Sequence, residues 1–306
     1  MIQELRDQIN HIFVGKEEVV DNVLICLLAG GHVLLQDVPG VGKTTLARTL
    51  AKATSCSFGR IQFTPDTLPS DVTGMTVYNM KTSQFDYHEG TVMNQILLAD
   101  EINRTSPKTQ SSLLEAMAEG QVTVDGTRHP LPEPFMVIAT QNPIEFIGTY
   151  PLPEAQMDRF MMQLSIGYPG KDQEILMAKQ FLSGTDPESA KAVCTVMDIL
   201  HMRENVNKVF VSDGILEYLR NIIDLTRHDS KLELGASPRA LLSLLRAAQA
   251  HAFLENRDFV RPDDVKAVVV NVLHHRVSLT AEARMAGEDP DVVLRSLVSQ
   301  VKIPKE

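Results

Sequence analysis

The segment DVPGVGKTT at 37–45 constrains this chain more than any other stretch. It lies between an apolar run, HVLLQ at 32–36, and a helical run, TLARTLAKA at 45–53. A strand, a tight glycine turn and a helix in that order build an anion nest. Successive backbone N–H groups point inward, and the helix N-terminus adds positive potential. Gly40 and Gly42 carry no side chain to block phosphate. Lys43 has the reach for β- and γ-phosphates, and the Thr44 hydroxyl can ligate Mg2+. Pro39, Val41 and Thr45 complete the candidate phosphate-binding loop. The motif Gly-x4-Gly-Lys-Ser/Thr asks for glycine at its first position, where this chain has Asp37.

Further apolar runs follow: RIQFT at 60–64, QILLAD at 95–100, FMVIAT at 135–140 and MQLSI at 162–166. Short, nearly continuous apolar runs suit parallel strands buried on both faces. Helical stretches between them imply βαβ units and a three-layer α/β domain. After GYPGKD at 167–172 the periodicity turns helical. Ser212 and Ser237–Pro238 read as helix starts, as does Pro262, which is followed by two acids. The expected organisation is an α/β domain at 1–168 and an all-helical lid of four to six helices at 171–306. A length of 306 residues fits two domains of roughly 100–200 each. The net charge of −10 argues against a nucleic-acid partner, which needs a basic face. The three cysteines, Cys26, Cys56 and Cys194, form no CxxC pair, which fits a reducing compartment. The N-terminus lacks a signal-like apolar run, and Val23–Leu35 is shorter than the ~20 residues that span a bilayer. A cytoplasmic protein is expected.

QILLADE ends in two acids. Asp100 is suited to hold Mg2+, which prefers hard oxygen ligands, and Glu101 to orient or deprotonate an attacking water. The strand FMVIATQN ends in Gln141 and Asn142, amides that could hold the water or touch a γ-phosphate. Two arginines complete the constellation. Arg159 ends the stretch PEAQMDRF. Arg239, in ASPRALL, lies in the first turn of a helix, where a cation opposes the dipole and hints at an anionic partner.

Together these residues resemble AAA+ ATPases, and more closely the MoxR family of the helix-two-insert clade. The carrying motifs are GHVLLQDVPGVGKTTLA, IQFTPDTLPSDVTG, LLADEINRTSPKTQSSLLEAM, ATQNP, YPLPEAQMDRF and GASPRAL, spread over nearly the full length. The resemblance implies a P-loop NTPase sheet of order 5-1-4-3-2, Mg-ATP binding and ATP hydrolysis. It matches Val14 and Gly15 to the segment near adenine and Gly40, Gly42, Lys43 and Thr44 to the Walker A loop. Asp100 and Glu101 match Walker B, with Glu101 as catalytic base. Asn142 matches the first sensor and Arg239 the second. Arg159 matches an arginine finger presented to the neighbouring subunit, which implies a homo-oligomeric ring, usually a hexamer. The implied strand order sets Asn142 between Lys43 and Glu101. The chain departs from the family at Gly90–Thr91, where Gly-Pro is common, and at Phe146 and Ile147, where the family is usually polar.

Two hairpins are expected, at 73–90 and at 121–132, the second with an Asp125–Gly126 turn. Lys81 faces Asp86 and Glu89 in the first, and Arg128 and His129 face Asp125 in the second. That balance favours a protein client over nucleic acid. The resemblance implies a chaperone-like ATPase whose usual partner is a von Willebrand factor A domain protein. The alternatives are a nucleotide-dependent scaffold or a DNA-linked motor of the same clade. His274 and His275 are adjacent and point to different helix faces, so they are not expected to form a metal site.

Overall fold

A computed structural model describes residues 1–142 and 148–304. The apolar runs form strands β1 (Val33–Gln36), β2 (Phe58–Gln62), β3 (Ile96–Asp100), β4 (Met136–Gln141) and β5 (Met162–Leu164). Their spatial order is β2-β3-β4-β1-β5, which is the 5-1-4-3-2 order implied by the resemblance. β1 runs parallel to β4, β4 to β3 and β3 to β2. The central strands are buried on both faces, which is why their sequences are continuous rather than alternating. β5 stops two residues short of its expected span of 162–166, and β2 is displaced from its expected span of 60–64. Its register with β3 runs from Phe58↔Ile96 to Gln62↔Asp100, so it starts two residues earlier. β2 is an edge strand, and its burial alternates. Pairing with β3, not apolar content, sets its ends.

Contacts divide the chain into two units. The first comprises Met1–Val20, His32–Leu152 and Leu164–Leu200; the second comprises Asp21–Gly31, Pro153–Gln163 and His201–Glu306. A single cut near 168–171 does not follow these contacts. Val193 N donates to Ala53 O at 2.8 Å, and Gln173 Nε2 to Gly15 O at 2.9 Å, so the segment after the linker stays with the first unit. Conversely, Arg203 Nε donates to Leu27 O at 2.8 Å within the second.

In the first unit, helix α1 (Lys43–Ala53) follows β1, and helix α2 (Pro107–Glu119) follows β3. Ser106 caps α2, and Gly120 ends it in a left-handed conformation. Both expected hairpins are present, pairing Gly74–Asn79 with Gln84–Glu89 and Gln121–Val124 with Thr127–Pro130. Asp125 and Gly126 take positive φ in the second turn. The hairpins touch: Thr76 Oγ1 donates to Asp125 Oδ2, and the Tyr87 and His129 rings stack with centroids 3.8 Å apart. The departure at Thr91 has a structural cause: its N–H, which a proline lacks, donates to Asp71 O at 3.1 Å. Gly90 before it is held to glycine by space. A Cβ there would lie 2.2 Å from Val72 O, where the chain closes the base of the first hairpin.

The second unit holds α3 (Asp213–His228), α4 (Pro238–Leu254), α5 (Pro262–Leu273) and α6 (Pro290–Gln300). The expected starts are present. Ser212 accepts from Ile215 N, Ser237 accepts from Ala240 N, and Pro262 sits at the first position of α5. Besides helices the unit contains a short antiparallel pair, Leu232–Leu234 with Ser278–Leu279. Asp264 is 1% exposed and anchors the start of α5. It accepts from Arg257 on both oxygens, from Arg261 N at 2.7 Å and from His251 Nδ1 at 2.7 Å. Among the described residues no helix is long and apolar enough to cross a membrane.

Candidate functional site

The loop between β1 and α1 turns on two glycines in left-handed conformations, Gly40 at φ +87° and Gly42 at φ +94°. A side chain at either would be strained. Gly42 is the N-cap of α1, and no side chain caps it. That sets α1 apart from α2, α3 and α4, each capped by a serine hydroxyl. The first turn of α1 therefore presents N–H groups and positive potential without an internal side-chain acceptor. Lys43 Nζ donates to Asp37 O at 2.8 Å. Burial pushes the Lys43 pKa below its ordinary value, against the opposing pull of Asp100, Asp37 and Glu101. Thr44 and Thr45 follow in the same turn, half-buried, with Val41 buried and Pro39 exposed.

Asp37, the departure from the glycine motif, has a structural task. Its buried carboxylate accepts from Ser165 Oγ at 2.9 Å, Ile166 N at 2.7 Å and Gly167 N at 3.0 Å. It fastens the start of the loop to the chain just beyond β5. A glycine at this position could not do so.

Asp100 and Glu101 sit at the carboxyl end of β3. Asp100 Oδ1 accepts from Thr140 Oγ1 at 2.7 Å, and Oδ2 from Arg60 at 2.8 Å. Thr140 Oγ1 also accepts from Glu101 N at 2.8 Å, so one hydroxyl on β4 aligns both acids. Glu101 takes a left-handed conformation at φ +56°, uncommon for a residue with a side chain. Its Oε2 accepts from Gln62 Nε2 at 2.8 Å and Arg104 Nη1 at 2.9 Å. Asn142 lies buried just past β4, the strand between β1 and β3. The first unit thus gathers Lys43, Thr44, Asp100, Glu101 and Asn142 at one end of its sheet. Phe146 and Ile147 lie outside the described residues.

Val14 and Gly15 line a small cavity of about 40 Å³ together with Gly40, Val41, Tyr168 and Met177. The segment expected near a base therefore borders the glycine loop. Arg159 and Arg239 belong to the second unit. Arg239 is exposed in the first turn of α4. Arg159 follows the short helix Glu154–Met157 and is half-buried. His274 and His275 take different partners, Asp291 and the Phe160 carbonyl.

Sequence reading missed Arg60, Gln62, Arg104, Thr140 and Arg276. A signal existed for Thr140, which falls at the end of the strand set between the loop and the two acids. The others required knowledge of which strands and helices meet.

The model of the ATPase family associated with various cellular activities (AAA) matches residues 32–162, and the AAA lid domain model matches residues 224–297. Chaperone MoxR1 of Mycobacterium tuberculosis is 40% identical over 97% of this chain and 81% of its own length. This chain belongs to the MoxR family of AAA+ ATPases. The family likeness extends to the uncharacterized protein YeaC of Bacillus subtilis, 49% identical over 97% of this chain and 93% of that protein. A solved structure from Cytophaga hutchinsonii, carrying a provisional ATPase assignment, superposes with a TM-score of 0.93 at 40% identity. It covers 99% of this chain and 95% of its own. The MoxR-family fold is thus established across both units.

Proposed function

We propose that this MoxR-family chain binds Mg-ATP and hydrolyses it to ADP and phosphate, working as a homo-oligomeric ring, usually hexameric, that remodels or matures protein partners. The observation that carries the reading is the uncapped N-terminus of α1 bearing Lys43, opposite two aligned acids. A triphosphate's charge needs a cradle, a divalent cation and a water-orienting group together.

Gly40, Gly42, Lys43 and Thr45 hold the phosphates, with Pro39 and Val41 shaping the loop. Val14 and Gly15 border the base. The Thr44 hydroxyl and the Asp100 carboxylate are hard oxygen donors and fit Mg2+. When bound, Mg2+ neutralises charge on the phosphate oxygens. Thr140 fixes the Asp100 carboxylate, as an outer-shell partner does at metal sites. Glu101 takes the proton of the attacking water once its carboxylate leaves Gln62 and Arg104, and Asn142 aligns that water. Arg239 reaches the γ-phosphate of its own subunit, and Arg159 reaches that of the neighbour.

The hairpins favour a protein client. Met80 is 88% exposed and Phe85 72%, and the nearby charges are mixed rather than basic. A nucleic-acid track would require a positive groove. A von Willebrand factor A domain protein is the expected partner, and the cytoplasm the expected compartment.

The test is steady-state turnover of wild type and Glu101→Gln at saturating Mg-ATP. The variant is expected to keep nucleotide affinity and lose at least ~10²-fold in turnover, as for a lost catalytic base. Equal rates would leave only a nucleotide-dependent scaffold. DNA-stimulated turnover with a steep salt dependence would favour a DNA-linked motor instead.

A further inference from the structure

Residues 153–163, which carry Arg159, contain little regular structure beyond the single turn Glu154–Met157 and the start of β5. A guanidinium 118 residues further on fixes them. Arg276 is 5% exposed. It donates from Nε to Asp158 Oδ1 at 2.6 Å, from Nη2 to Phe160 O at 2.7 Å and from Nη1 to Met161 O at 3.0 Å. Burial, and then the Arg276 charge, hold the His275 pKa well below its ordinary value, so the ring is neutral. Its Nε2–H donates to the same Phe160 carbonyl at 3.0 Å.

The second oxygen of Asp158 leads elsewhere. Oδ2 accepts from Ser237 Oγ at 3.1 Å. Ser237 is also the N-cap of α4, accepting from Ala240 N at 3.1 Å, and Arg239 stands two residues beyond it. One carboxylate therefore has Arg159 as its chain neighbour on one side and holds the helix start that bears Arg239 on the other.

We propose that Asp158 is a positioning residue that ties Arg159 to the N-terminus of α4, so that Arg239 and Arg159 move as one body when nucleotide binds or leaves. The proposal rests on the reading above, in which both arginines face ATP, one in its own subunit and one in the neighbour. A carboxylate with both oxygens committed gives two elements a shared, discrete arrangement rather than independent ones. The occupancy sensed by Arg239 is then passed to Arg159. Freed from Asp158, Arg159 keeps its charge but loses its aim, and misplacement of about 1 Å costs about 10²-fold in rate.

The experiment compares turnover, KM for ATP and melting temperature of the full chain for Asp158→Asn, Ser237→Gly, Arg159→Ala and the double variant Asp158→Asn with Arg159→Ala. Asp158→Asn is expected to lower kcat at least ~10-fold with KM within about twofold, because alignment and not ground-state binding is lost. In the double variant its effect should vanish, because it acts only through Arg159. Ser237→Gly guards against a folding defect from leaving Arg276 without its counter-ion. Glycine is a tolerated N-cap, so this variant cuts the link and keeps the Asp158–Arg276 pair. It should lower kcat at least ~3-fold at unchanged KM, a smaller alignment loss than that of Asp158→Asn. Wild-type kcat in Ser237→Gly, or a loss in Asp158→Asn that multiplies with that of Arg159→Ala, overturns the proposal. Full turnover in Arg159→Ala overturns the ring reading and this inference together. A slow Arg159→Ala beside a wild-type-like Ser237→Gly overturns this inference alone.

Discussion

Lys43 closes its own loop: its Nζ donates to the carbonyl oxygen of Asp37 at 2.8 Å, six residues back. The ammonium is half-buried and set among Asp37, Asp100 and Glu101, so it is pre-oriented at the end of the sheet before any phosphate arrives.

Lys43→Ala is expected to cost nucleotide affinity and leave the fold intact. Hydrogen bonds to charged groups contribute about 1.5–3 kcal/mol, a loss of about 10- to 150-fold in Kd. Calorimetric titration with ATP measures it, and undiminished affinity would remove the basis of the nucleotide-binding proposal.

Restoring the glycine of the motif is expected to harm this protein. Asp37→Gly strands the buried N–H of Ile166, the half-buried N–H of Gly167 and the Ser165 hydroxyl. Unsatisfied buried donors cost about 1–3 kcal/mol each, so a destabilisation of about 2–4 kcal/mol is expected. Urea unfolding decides it: a variant as stable as wild type would mean that the Asp37 carboxylate holds nothing.

Thr140→Val preserves shape and removes the hydroxyl that aligns Asp100 and Glu101. Outer-shell partners are worth about 10- to 100-fold in metal affinity, so the Mg2+ concentration for half-maximal turnover should rise by that order. An unchanged Mg2+ profile would argue that Asp100 is oriented by Arg60 alone.

Acid stability should depend on Asp264. Burial alone would raise its pKa, but the bonds from Arg257, His251 and Arg261 N bring it from 3.8 down to about 2. A group depressed in the folded state contributes stability above its unfolded pKa and loses it as pH falls through the folded value. The contribution, about 2 kcal/mol, should be complete above pH ~4 and fade towards pH ~2. Denaturant melts across that window should show a slope in wild type that Asp264→Asn lacks; parallel slopes would contradict the assignment.

The sequence by itself determined what depends on neighbours within a few residues. The glycine loop before α1, the serine caps at Ser212 and Ser237 and the Asp125–Gly126 turn are local agreements of backbone and side chain, and each is where its residues put it. The continuous apolar strands announced a sheet covered on both faces, because burial on both sides leaves no place for alternation. Tertiary structure alone decided the rest. Asp37 read as a defect in a motif until Ile166 and Gly167, nearly 130 residues away, supplied the donors for its carboxylate. Thr140 looked like one more strand residue until β4 was laid against β3. Arg276 carries no signal in the sequence, and only the fold buries it on Asp158. The span of β2 and the segments that make up each unit likewise follow from long-range pairing. Hydrogen bonds between distant residues leave no periodicity in the chain, so only the folded arrangement reveals which polar groups were meant for each other.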